Sequence, residues 1–389
     1  MTKPLPVHAE VALKVVEACA HQPPAVHPLP VSLVPDLRKV GSHPDNWYPL
    51  ARSKDLKKGQ TLGRSFAGDP IVLVRTESDQ VYALEDRCAH RQVPLHHGVV
   101  HGEHLQCGYH CWTFDRTGSC VGVPYLSKGQ ARPKGVRSYP CREAYGLIFV
   151  FPGNIEKLTD TVFPEVSLAD DQKYKTRFLN RRVNCHYSFM HENLMDMNHQ
   201  FLHRRLMGGI RTTCLELRER DHVVEVDYTF SRVKGSQPLG EKLILGNPQH
   251  VQAGPEHDLM TICTDYPYQT LKFWTAGSTE PALNLWNVYV PIDREQCQNH
   301  TFGLMMIRKP SFPGLIHLLW PCIVWFTERI FAEDRWIVEE EQKAFNRQGA
   351  DWNQEVFPVI ERLRALLRRE GVVLQGCASD TERFRTSSY

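Results

Sequence analysis

The chain of 389 residues carries 46 basic and 44 acidic side chains, a formal net charge of +2, with 42% hydrophobic and 23% charged residues. That balance suits a soluble globular protein of two or more domains with ample apolar residues for a core, and it leaves no basic footprint for nucleic acid or an acidic membrane surface. Twelve cysteines without a regular framework, behind an N-terminus that shows no secretory pattern, predict free thiols in a reducing cytoplasm.

Residues 1–44 read as an N-terminal extension, rich in proline and valine. One helical stretch is expected from about Ala9 to Ala20, where Val11, Leu13, Val15, Val16 and Cys19 loosely follow a helix period before Pro23, Pro24, Pro28 and Pro30 stop it. An interface segment and a disordered leader are the two readings of this piece.

From Asn46-Trp47-Tyr48-Pro49 the pattern turns to short strands: Pro70 to Arg75, Gln80 to Leu84 after a Ser78-Asp79 turn, and Gly146 to Phe151. Short apolar runs punctuated by Gly, Asp and Pro predict a small antiparallel β-domain over 45–155. Within it lie Cys88-Ala89-His90 and, after sixteen intervening residues, Cys107-Gly108-Tyr109-His110. Two thiolates and two imidazoles on two short loops, expected at the tips of hairpins, suggest one metal centre. Zinc knuckles normally carry one ligand type each, Cys-x2-4-Cys and then His-x3-5-His, whereas here each loop mixes the types. The mixed set matches a Rieske [2Fe–2S] cluster, in which one iron takes two thiolates and the other two imidazoles. Cys88 and Cys107 would hold one iron, and His90 and His110 the other.

The surroundings, Leu84 to Arg91, then Pro94-Leu95 and Gly98, then Tyr109-His110-Cys111-Trp112-Thr113-Phe114-Asp115 and Gly118, resemble the Rieske domain of the ring-hydroxylating oxygenase family. One departure is Cys111, which stands where the family usually has glycine. Respiratory-type Rieske proteins carry an extra disulfide beside the cluster; Cys111 and Cys120 do not fit that pattern and read as free thiols.

After Pro152-Gly153 the chain changes character, and 156–389 reads as a second domain. In His191-Glu-Asn-Leu-Met-Asp-Met-Asn-His-Gln-Phe-Leu-His203 the spacing of Asp196, His199 and His203 would put all three on one face if the stretch is helical. A carboxylate and two imidazoles are the material of a facial iron site with open positions. A satisfied structural histidine pair is the bland reading. The resemblance extends here: Glu192, Asp196, His199 and His203 resemble the family motif, with three residues between the histidines where four is commoner. It implies His199 and His203 as ligands of a mononuclear Fe(II), with His191 and His186 as substitutes. It implies Asp196 as a bridge that hydrogen-bonds a ligand histidine and, across the boundary of a head-to-tail homotrimer, a cluster histidine of the neighbour. The third ligand it implies is Asp334, in the late helix around Phe331 to Gln342, with Glu333 and Glu340 as fallbacks. A merely solvated acidic face is the alternative there.

Between these sites Val223 to Phe230, Met260 to Cys263, Leu283 to Val290 and Thr301 to Ile307 read as strands of one large antiparallel sheet, whose Phe273, Trp286, Met305 and Met306 are candidates to line a pocket. The apolar run Gly314 to Phe326, 13 residues with His317 and Pro321, falls short of a transmembrane helix. It reads as buried core, a subunit interface, the wall of a greasy channel, or a peripheral membrane contact. Val356 to Arg369 reads as an amphipathic helix with a basic face.

The fold class is therefore α+β, a small antiparallel β Rieske domain followed by a helix-flanked antiparallel-sheet catalytic domain. The resemblance implies a terminal oxygenase component that hydroxylates or oxidatively dealkylates an organic, largely apolar cyclic substrate with O2. No Gly-x-Gly-x-x-Gly fingerprint is present, so electrons would come from a separate NAD(P)H-dependent reductase or ferredoxin. The chain's size favours single-subunit monooxygenases and demethylases. A cis-dihydroxylating dioxygenase or oxidative cyclase, a Rieske electron-transfer protein that has lost its second iron, and a zinc-binding interaction protein are the rivals.

Overall fold

The computed structural model describes residues 36–234 and 257–374, so the helix expected over Ala9 to Ala20 lies outside the described residues. The first half is built from three small antiparallel sheets. Gln60–Phe66, Asp69–Arg75 and Val81–Glu85 form one with Ser138–Tyr139; Tyr48–Arg52, Leu147–Val150 and Cys141–Ala144 form the second; Val99–His101, His104–Gln106, Thr113–Phe114 and Cys120–Gly122 form the third. Strands of two to seven residues with Gly and Asp turns leave little room for anything but hairpins.

The second half is a seven-stranded antiparallel sheet. Gly209–Arg220, Val223–Lys234, Leu259–Asp265, Tyr268–Trp274, Leu283–Pro291 and Asn299–Arg308 run as a meander, and the earlier strand Tyr174–Val183 pairs with the last of them. Helices α1 (Tyr187–Met195), α2 (Arg204–Met207), α3 (Leu315–Gln348) and α4 (Pro358–Glu370) cover one face. Side chains alternate across a strand, so each sheet face has its own core. Leu285 and Met305 face the helices, in a cluster with Met195, Phe326 and Leu363. Trp286, Val288, Phe302 and Met306 face the first half, where they pack with Trp47, Tyr48 and Phe149. The two halves thus share a core.

Backbone bonds reinforce that seam. The turn Ala67-Gly68, with φ of 48° and 85°, closes the hairpin between Gln60–Phe66 and Asp69–Arg75, and its tip donates Ala67 N–H to Pro291 O at 2.9 Å and Gly68 N–H to Ile292 O at 2.8 Å. A Cβ at Gly68 would stand 2.2 Å from Arg294 Cγ, so only glycine lets the turn dock.

Residues 36–41 belong physically to the catalytic half. Leu37 and Val40 lie in its core, and Val40–Gly41 pairs with Val372–Val373 after α4. Buried Arg38 forms paired hydrogen bonds to Glu192 of α1 at 2.9 and 3.0 Å, and Arg364 of α4 holds the same carboxylate at 3.0 and 3.0 Å. The apolar run from Gly314 opens a 34-residue helix in which Pro321 is accommodated. The 13-residue apolar run is thus the first part of a longer helix, which by length and composition alone is long and apolar enough to cross a membrane.

Candidate active site

Two loops bring the cysteine and histidine pairs together. The first, between Val81–Glu85 and the turn Leu95–His97, is closed by Cys88 N–H to Val93 O at 2.9 Å and Gln92 N–H to Cys88 O at 2.9 Å. It connects two different sheets, whereas a hairpin tip was expected; only the second loop is one. There Cys107 N–H meets Trp112 O at 2.8 Å and Cys111 N–H meets Cys107 O at 3.2 Å. The return requires a left-handed residue, and Cys111 supplies it at φ 56°.

The Cys88 and Cys107 side chains are buried, and the His90 and His110 rings approach edge-on at 4.6 Å between centroids. Trp112 stacks on His90 at 4.7 Å and 4°, and its indole N–H donates to Tyr125 Oη at 2.7 Å. Burial, followed by the neighbouring Cys107 thiol, pushes the Cys88 thiol up to about 11. His90 Nδ1 is buried without a hydrogen-bond partner. Two buried, neighbouring thiols and an orphaned imidazole nitrogen are what a thiophilic metal cluster would satisfy.

The second site assembles from three short elements and α3. Helix α1 stops at Met195: Asp196 turns to φ −91°, ψ 93°, and caps the 3₁₀ turn Met197–Phe201, its carboxylate accepting from Asn198 N and Nδ2 at 2.8 Å each. Asp196, His199 and His203 are therefore not on one helical face, because the cap breaks the period. The histidines meet anyway, with rings 5.2 Å apart. His203 Nε2 lies 3.1 Å and His199 Nε2 3.6 Å from Asp334 Oδ1 of α3, and one ligand atom from each residue falls within 4.8 Å of the others.

Both rings are aimed by their other nitrogen. His203 Nδ1 bonds Glu333 Oε2 at 2.8 Å, and His199 Nδ1 bonds the Asp196 carbonyl oxygen. With both Nδ1 atoms engaged, both Nε2 atoms point at Asp334, whose Oδ1 is buried and receives no hydrogen bond. Burial opposes protonation of His203, but the facing carboxylates of Asp334 and Glu333 outweigh it and raise its pKa. This donor set fits a divalent metal.

Of the other sequence candidates, Glu333 orients His203, Glu340 bonds Lys343, and His186 and His191 are buried in the core behind α1. The three clustered residues form one wall of a cavity of about 430 Å³, otherwise lined mainly by apolar side chains such as Leu194, Phe230, Phe273 and Met305, with Asn193, Gln200, Asp258, Thr275 and Thr327 among them. Trp286 and Met306 do not reach it: they occupy the opposite sheet face, and Leu285 takes the place expected of Trp286. Sequence reasoning missed Glu333's orienting bond and the clamp of Arg38 and Arg364 on Glu192; only the adjacency of Glu333 to Asp334 signalled the first.

Residues 46–140 match the family model of the Rieske [2Fe-2S] domain, and residues 183–369 match that of the vanillate O-demethylase oxygenase C-terminal domain. The 4beta-methylsterol monooxygenase of Methylococcus capsulatus is 30% identical over 342 residues, which is 85% of this chain and 89% of that one. The chain is a Rieske oxygenase. The oxygenase is also 34% identical over 179 residues to the oxygenase component of dicamba O-demethylase from Stenotrophomonas maltophilia, 46% of this chain and 52% of the relative. Its fold superposes on the crystal structure of dicamba monooxygenase bound to dicamba with a TM-score of 0.66 at 22% identity, covering 85% and 98% of the two chains. The expected α+β Rieske and catalytic halves, the [2Fe–2S] domain and the monooxygenase class are thereby shown; mononuclear iron is typical of the second domain's family.

Proposed function

We propose that this oxygenase hydroxylates or oxidatively demethylates a largely apolar cyclic substrate seated in the cavity beside His199, His203 and Asp334. The observation that carries the reading is the placement of three convergent metal-ligating atoms, within 4.8 Å of one another, on the wall of that apolar cavity. The names of the relatives point the same way, toward demethylation and monooxygenation of methylsterol, dicamba and vanillate.

In this reading His199, His203 and Asp334 would hold a mononuclear iron, and Cys88, His90, Cys107 and His110 would hold the cluster. A ferrous ion in such a site supplies activation of O2, with electrons from a separate reductase or ferredoxin. The chain's own residues do the rest. Glu333 and the Asp196 carbonyl fix the imidazole orientations, Met305, Phe273 and Leu285 position the substrate and exclude water, and Asp334 places a carboxylate on the cavity wall. We assign Asp196 as the bridge to the neighbouring subunit of a homotrimer; its half-buried side chain and the exposed Tyr109 beside His110 support docking at those two places. No disulfide joins any of the ten cysteines among the described residues, which supports a reducing, cytoplasmic setting.

The test is turnover of methylated sterols and methoxyarenes with a reconstituted reductase, following formaldehyde and hydroxylated product. Formation of either by the wild type and loss in His199→Ala with the cluster spectrum retained is the expected result. Unchanged turnover in His199→Ala overturns the site.

A further inference from the structure

Helix α3 has two working faces, and the cavity uses only one. Phe326, Thr327, Ile330, Phe331 and Asp334 line the cavity. On the opposite side of the first half of the helix stand Leu318, Cys322 and Trp325, one stripe at helical spacing, with Phe312 just before the helix. Phe312 is 72%, Leu318 77% and Trp325 61% exposed.

No Asp or Glu occurs from Ser311 to Thr327, Glu328 just beyond is taken up by Arg177 and Arg181, and a basic residue stands at each end of the patch. Exposed Lys309 precedes it and Arg329 follows on the same stripe. Neither cation has a carboxylate partner among the described residues. An apolar stripe with tryptophan at its margin and unpaired cations on its rim has the chemistry of a surface that lies in the interfacial layer of an anionic bilayer. A two-fold copy on this face is disfavoured, because the contact would set the basic rim against itself, and oligomeric state separates the head-to-tail contacts of a trimer from lipid docking.

We propose that the first half of α3, with Phe312, Leu318 and Trp325, docks the oxygenase on an anionic lipid surface. The helix lies in the interface and does not span it, since its later turns hold Asp334 at the cavity and the acidic run from Glu339 to Glu341. Apolar substrate then leaves the lipid across one helix diameter to reach the cavity. Delivery rests on the function proposed above; docking does not.

Flotation of the full-length holoenzyme with phosphatidylcholine vesicles, with and without phosphatidylglycerol, tests the docking. Light scattering of the same samples reads the oligomeric state. The wild type is expected to float with phosphatidylglycerol-containing vesicles, and to do so less as salt rises. Leu318→Glu combined with Trp325→Glu should weaken partition roughly tenfold or more, with cluster spectrum and oligomeric state unchanged. Absence of flotation, or equal flotation by the variant, overturns the proposal. So does a variant whose only change is a smaller oligomer, which assigns the face to a second copy. A protein that floats but turns over no apolar substrate refutes the function and leaves docking standing.

Discussion

Glu333 and Asp334 are adjacent on α3 and do different work: one aims a histidine, the other completes the ligand set. Asp334→Asn should cut mononuclear iron occupancy at least about tenfold, while Glu333→Gln, which keeps a hydrogen-bonding partner for His203, should weaken it by no more than that factor. Iron titration of the apoprotein, followed by metal analysis, distinguishes the two; equal losses would contradict the assignment. At the other centre, Cys111 pays for its left-handed φ of 56°. Replacing it with glycine should stabilise the protein by about 1 kcal/mol, read as a higher denaturation midpoint. The cysteine and histidine pairs were legible in sequence because each pair sits in one loop and its spacing is its geometry. Asp334 was not, since nothing local ties it to His199; resemblance alone pointed there.

At the scale of elements, strand alternation separates residues that composition lumps together. Met305 and Met306 both read as pocket candidates, yet adjacent strand residues face opposite ways, and only Met305 reaches the cavity. Met306→Ala, at a fully buried position between the halves, should cost about 2–5 kcal/mol without changing substrate preference. Met305→Trp should instead exclude larger substrates with a smaller loss of stability, a contrast that unfolding curves and a substrate panel check. The period of α1 was misread past Met195 because Asp196 satisfies the next backbone amides itself, a capping choice that spacing does not announce. Glu192, read from the motif, turns out to be the knot between α1, α4 and residue 38. Burial disfavours its charge, but Arg38 and Arg364 outweigh that and hold its pKa low. Glu192→Gln strands two buried guanidinium groups and should cost about 3–5 kcal/mol in denaturant unfolding.

For the whole molecule, the strand pattern made the two-part α+β plan legible, but not the shared core, because long-range packing of Trp47 against Trp286's sheet face leaves no local trace. Buried neutral histidines set its acid limit. His300 on the central sheet is pushed down to about 4 by burial and then by Arg64 and Arg182. A histidine depressed in the folded state takes up its proton on unfolding, so stability falls as pH drops from the unfolded value near 6.5 toward 4. Against His300→Gln, the wild type should lose up to about 1.4 kcal/mol more per pH unit across that window; parallel curves would contradict this.

The central claim is that one chain carries two distinct iron centres, and iron and acid-labile sulfide analysis with EPR of the dithionite-reduced protein tests it most directly. About three irons and two sulfides per chain with a Rieske signal are expected, falling to about two irons in His199→Ala with that signal unchanged. A third iron that survives His199→Ala, or a wild type with two irons that added ferrous ion does not raise, would contradict it.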